Sequence, residues 1–140
     1  MTYAYGWALQ RAVHAALRAH PDIAALVGGR VHDEPPHRSS GSAEEAAAPY
    51  VVIGEETVAP WDTATEAGAA HEIVVCAVAA EPGFATVKRI AAAVCDALLG
   101  GLAPERGRVV SARFLGGRTA RALRGATRRI DMRFRIVIEE

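Results

Sequence analysis

One run near the C-terminal end limits what this chain can fold into: Thr127-Arg-Arg-Ile-Asp-Met-Arg-Phe-Arg-Ile-Val-Ile138. Ile130, Met132, Phe134, Ile136 and Ile138 fall on one side, and Arg129, Asp131, Arg133 and Arg135 on the other. Successive side chains of a strand point to opposite faces, so this alternation predicts a strand with one apolar and one charged face. The apolar face needs a cover. The segment 87–98 is the candidate, because Val87, Ile90, Ala91, Val94, Ala97 and Leu98 recur at helical spacing. The charged face must meet water or a partner, and four charges in one row point to a partner.

The rest of the chain supplies the other elements. Tyr5, Leu9, Ala12, Val13, Ala16 and Leu17 form a first helical stripe that Pro21 ends. Asp22-Ile-Ala-Ala-Leu-Val is a further short helical turn closed by Gly28-Gly29. Arg30-Val-His-Asp is read as a short strand, and the Ser-, Ala- and Glu-rich stretch 37–48 as a mobile loop. Two strands follow, Tyr50-Val-Val-Ile-Gly-Glu-Glu-Thr-Val58 and Ala70-His-Glu-Ile-Val-Val-Cys-Ala-Val78, joined by a polar connection over 60–68. The second is apolar on both sides from Ile73 onward, which predicts a central position covered on both faces. After the 87–98 helix come a strand at 108–115, an Arg-rich loop at 116–125 and the final strand. The order is ααβββαββ. It predicts an α+β fold in which two main helices pack on one face of a mostly antiparallel, mixed sheet of about five strands, with residues 1–140 forming a single domain.

Formal net charge is zero over the 140 residues, which argues against a non-specific nucleic-acid binder. The average conceals a split. Residues 33–81 hold ten acids against one arginine, and residues 106–135 hold ten arginines against one acid. Two readings are open. The segments either neutralise each other within one sheet or form surfaces that meet between copies, head to tail, as in a closed ring. Cys76 and Cys95 are too few for a disulfide scaffold and are read as buried free thiols. Met1-Thr-Tyr-Ala-Tyr-Gly-Trp lacks the charged and apolar regions of a leader, and no apolar run is long enough for a membrane span. A bacterial cytoplasmic location, at least until assembly, is expected.

Chemistry finds little to stand on. Lys88 is the one lysine and no P-loop is present. Three of the four serines, Ser39, Ser40 and Ser42, lie in the expected loop, a poor place for a preorganised nucleophile. His14, His20, His32, His37 and His71 show no metal-ligand spacing. Neighbours in a strand diverge, so neither His32-Asp33-Glu34 as a metal cluster nor Glu55-Glu56 as an acid/base pair can converge. Arg118, Arg121 and Arg124 lack the interleaved aromatics of a nucleic-acid surface. The chain is expected to have no catalytic, metal or cofactor residues and to be no enzyme.

Several phrases carry a resemblance. Ala25-Leu-Val-Gly-Gly-Arg-Val31, Pro49-Tyr-Val-Val-Ile-Gly-Glu55, Trp61-x-Thr63-x-Thr65-Glu66-x-Gly68-x-x-His71, Val87-Lys-Arg-Ile-Ala91 and the terminal Arg-x-Ile-x-Met-x-Phe strand follow one another in order. Together they resemble the tail completion, or tail terminator, proteins of long-tailed phages, prophages and gene transfer agents. The 37–48 loop departs from that family in being longer. The resemblance implies a hexameric ring that caps the head-proximal end of the tail tube, stops its polymerisation and meets a head-side connector. DNA would pass through the lumen unread, and the finished ring would sit in the neck of a phage-like particle. Interface candidates are Trp61, Asp62 and Glu66 in the 60–68 connection, and Arg118, Arg121 and Arg124 in the Arg-rich loop. Arg133 and Arg135 are further candidates, reaching a neighbour's Glu55 or Glu56 or pairing within the sheet. A small cytoplasmic α+β module that binds a ligand or peptide is the alternative.

Overall fold

A computed structural model describes residues 2–34, 48–80, 84–122 and 127–140. The 37–48 loop, apart from its last residue, and Arg124 therefore lie outside the described residues. Helix α1 spans Gly6–Ala19 and helix α2 spans Pro21–Val27. His20 between them is extended (φ −69°, ψ 124°), the geometry imposed on a residue that precedes proline. Gly28 closes α2 with φ 62°, a left-handed value that a side chain would resist. Strands β1 (Val31–His32), β2 (Tyr50–Pro60) and β3 (Gly68–Ala79) precede helix α3 (Ala85–Leu99), and strands β4 (Arg108–Ala122) and β5 (Thr127–Glu139) complete the chain. The described elements thus follow the expected ααβββαββ order, in an α+β fold with a five-stranded mixed sheet.

The spatial order is β1-β2-β3-β5-β4, with β1 parallel to β2 and every other pairing antiparallel. β5 lies between β3 and β4. Its ladder with β3 runs unbroken from Gly68↔Glu139 to Ala79↔Arg128. The alternation read from the sequence holds: Ile130, Met132, Phe134, Ile136 and Ile138 are all buried. They share one core with Val51, Ile53, Ile73 and Val75 of the sheet, Leu9, Val13 and Leu17 of α1, and Val87, Ile90, Val94 and Leu98 of α3. Burying each large aliphatic or aromatic side chain there contributes roughly 1.5–3 kcal/mol.

Three expectations need correction. The Arg-rich stretch is no loop: β4 continues through Gly116-Gly117 to Ala122, because an extra residue at Leu115 is absorbed as a bulge between Phe114↔Phe134 and Gly116↔Arg133. β3 is central, but it is not covered on both faces, since Glu72, Val74 and Cys76 on the side away from the core are only half-buried. Cys76 and Cys95 are free but half-buried rather than buried.

Phe134 is completely buried and meets Phe114 edge-on, with ring centroids 5.6 Å apart. Phe134→Ala should therefore destabilise the fold by about 3–5 kcal/mol, measured by denaturant unfolding, without changing the helix content of the folded fraction.

Candidate assembly interface

The strand order turns the charge split of the sequence into a spatial one. Asp33 and Glu34 follow β1 and Glu55 lies on β2 at one edge, Asp62 and Glu66 lie in the turn between β2 and β3, and Arg108, Arg113, Arg118 and Arg121 lie on β4 at the opposite edge. The middle of the sheet is partly neutralised internally. Arg133 Nη1 donates to Glu72 Oε1 at 3.0 Å and Arg129 reaches Asp131 at 3.0 Å, while at the start of the β4 edge Arg108 pairs with Glu139. Pairing within the sheet therefore accounts for part of the split. The centre pairs within the sheet, while the two margins keep their own sign. These central pairs are partly exposed and are worth little as stability.

The interface candidates sort accordingly. Glu55 is exposed beside a bulge that sets Gly54 and Glu55 opposite the single residue Val74, between Ile53↔Val75 and Glu56↔Ile73. The same bulge turns Glu56 to the helix side. There Tyr3 donates its hydroxyl proton to Glu56 Oε1, and His71 Nδ1 lies 3.2 Å from Glu56 Oε2. Glu56 is thus occupied inside its own subunit and is not brought to Arg133 or Arg135. Arg118 lies opposite Asp131, Arg135 opposite Glu72, and Arg121 stacks over Phe84 at 6.0 Å from the ring centroid. Glu55, Arg113, Arg118 and Arg135 form no ion pair among the described residues.

The connection between β2 and β3 is braced from within. Trp61 N–H donates to Gly68 O at 3.0 Å, Gly68 N–H to Asp62 Oδ1 at 3.2 Å, and Thr63 N–H to Glu66 O at 2.8 Å. Trp61 is half-buried, while Asp62 and Glu66 are exposed. A methyl group at Gly68 would lie 2.6 Å from Trp61 O and 2.8 Å from Ile138 O, so only glycine fits where the connection rejoins the sheet.

Sequence reasoning missed three features. The first is the Tyr3–Glu56–His71 cluster. His71 is completely buried and shares its face with Ile73, Val75 and Ala77, and that position in the alternation was the available signal. The carboxylate sets the tautomer: Nδ1 carries the proton and donates to Glu56. The second is the exposed aromatic pair Tyr3 and Trp7, at 63% and 67% exposure. The third is an open groove of about 640 Å³ between α3 and β4, lined by Cys95, Phe114, Arg118 and Met132.

The thiols offer no nucleophile. Burial and a hydrogen bond to Asp131 push Cys76 up to about 12, and burial raises Cys95 as well. Among the described residues, no group of three or more His, Cys, Asp or Glu side chains is placed to hold a metal ion, and no helix is long and apolar enough to cross a membrane.

Residues 11–139 match the family described as tail completion protein gp17. The chain belongs to that family. A solved structure titled as the virion of a native gene transfer agent particle contains a chain 42% identical to this one, at a TM-score of 0.84. The match covers 99% of this tail completion protein and 100% of that chain. A comparison with curated proteins gives no match. The tail completion family and the virion match together make this chain a structural protein of a phage-like tail.

Two outcomes test the local chemistry. Burial pushes Glu56 up, but the hydrogen bonds from His71 and Tyr3 and the electrostatic interaction with His71 outweigh it, so its carboxyl titrates below its ordinary 4.5. A depressed carboxyl contributes stability that is present above its unfolded value and lost as pH falls through the folded one. Glu56→Gln should therefore lower stability at neutral pH and flatten the loss below about pH 4.5, read from urea midpoints across pH. Gly68→Ala should cost roughly 2 kcal/mol or more through overpacking against backbone, measured as a fall in Tm.

Proposed function

We propose that this tail completion protein is a tail terminator. Copies associate head to tail into a ring, hexameric as the family resemblance implies. The ring caps the head-proximal end of the tail tube, stops addition of further tube subunits, and joins the tail to the head-side connector. DNA passes through the lumen without being read. The chain works as one domain over residues 1–140, assembling in the bacterial cytoplasm and ending in the neck of the particle.

The observation that carries this reading is the sheet with an exposed carboxylate, Glu55, on its β2 edge and a row of arginines on its β4 edge. A ring of identical subunits needs two different, mutually complementary surfaces per copy, since a heterologous contact closes only by pairing one face with another. Opposite charges on the two margins supply complementarity, set the register and reject like-charged approaches. Arg118 and Glu55, which form no ion pair among the described residues, are the groups available for it. The exposed Trp7 and Tyr3 on the α1 side, and Phe114 on β4, add the kind of apolar anchors that concentrate energy in interfaces.

Replacing Arg118 and Arg121 by Glu should leave a folded subunit with unchanged circular dichroism but abolish ring formation in light scattering. In cells, tails should then run past their normal length in electron micrographs. Assembly by the unaltered chain should slow as ionic strength rises, because exposed charges steer it. Tails of normal length built with the reversed chain would remove the basic margin from the function.

A further inference from the structure

The two margins of the sheet are also its two open edges. β4 pairs only with β5, so one side of a 15-residue strand presents unpaired backbone groups. At the other end β1 covers β2 only at Val51 and Val52, and the exposed stretch from Gly54 to Pro60 has no further strand beside it among the described residues. Long open edges are templates for pairing, and soluble proteins usually shorten, twist or cover them.

Resting on the ring reading, we propose that β4 of one copy adds to the open half of β2 of the next, so that one antiparallel sheet runs through neighbouring subunits. Direction permits this. β2 is antiparallel to β3, β3 to β5 and β5 to β4, so β4 runs opposite to β2 within a subunit and meets the β2 of an equivalently oriented neighbour antiparallel. Register permits it too. Gly116 shares a row with Arg133 and Val74, the row of the Gly54/Glu55 bulge, and Arg113 shares a row with Arg135, Glu72 and Thr57. A neighbour seated at the same height therefore brings its Glu55 between Arg113 and Arg118, the diagonal positions on either side of Gly116. Inside one subunit Arg113 faces Arg135, a like-charge pair whose nearest acid, Glu72, is already bound to Arg133. A carboxylate from outside relieves that repulsion, and Glu55 is exposed and unpaired. The cross-subunit ladder supplies backbone hydrogen bonds, and the arginines select where it starts.

Amide exchange on the purified ring or on assembled tails decides this. The edge-facing amides of residues 54–59 and of β4 should slow by roughly tenfold or more relative to the separated subunit. Under mild oxidation the double variant Thr57→Cys, Arg113→Cys should run as a ladder of covalently linked copies, and neither single variant should. A ring whose edge amides exchange as fast as the subunit's, and whose double variant gives no ladder, overturns the edge pairing and leaves the ring standing. A chain that forms no ring, alone or on tube ends, overturns the ring reading, and this pairing falls with it.

Discussion

Everything in this fold is registered against β5. Like β3, it has antiparallel partners along nearly its whole length on each side, and its apolar face forms the floor on which the helices rest. Because side-chain direction has a period of two, a slip of one residue would exchange the buried isoleucines and Phe134 for arginines. Desolvating an unpaired guanidinium is far costlier than burying it is worth, so hydrophobic burial and charge exclusion fix the same register. The position of every other strand follows from that ladder.

Bulges then decide what each margin can do. One extra residue in β2 sends Glu56 to the core side and sets Glu55 at the surface, so two adjacent carboxylates acquire different tasks. Glu56 ties the N-terminal Tyr3 and the buried His71 to the sheet. At the other end Tyr5 donates its hydroxyl to Glu140 at 2.7 Å, which fastens the start of α1 to the last residue of the chain. Extra residues in β4 at Val110 and Leu115 let that strand stay paired while twisting. The same device gives a strand long enough to carry the whole basic margin.

Among the described residues burial pushes both thiols up, and Glu55 lies at one edge of the sheet with Arg113 and Arg118 at the other. That distribution suits a part whose work is fitting against other parts, in keeping with its family and with its whole-length likeness to a chain of a gene transfer agent virion.

Local pattern by itself determined the helices, the order of elements and the apolar face of β5. Helical stripes, proline stops and two-residue alternation are all written into neighbouring residues. Gly116-Gly117 reads locally as a turn, and only pairing with Met132 and Arg133 across the sheet shows that β4 runs through it. Trp61 and Asp62 read as interface candidates, and the fold also uses them to brace the connection around Gly68. The placement of acids and bases on opposite margins was decided by tertiary structure, because strand order and bulges arise from contacts between segments far apart in the chain. No local spacing encodes which strand lies at the edge.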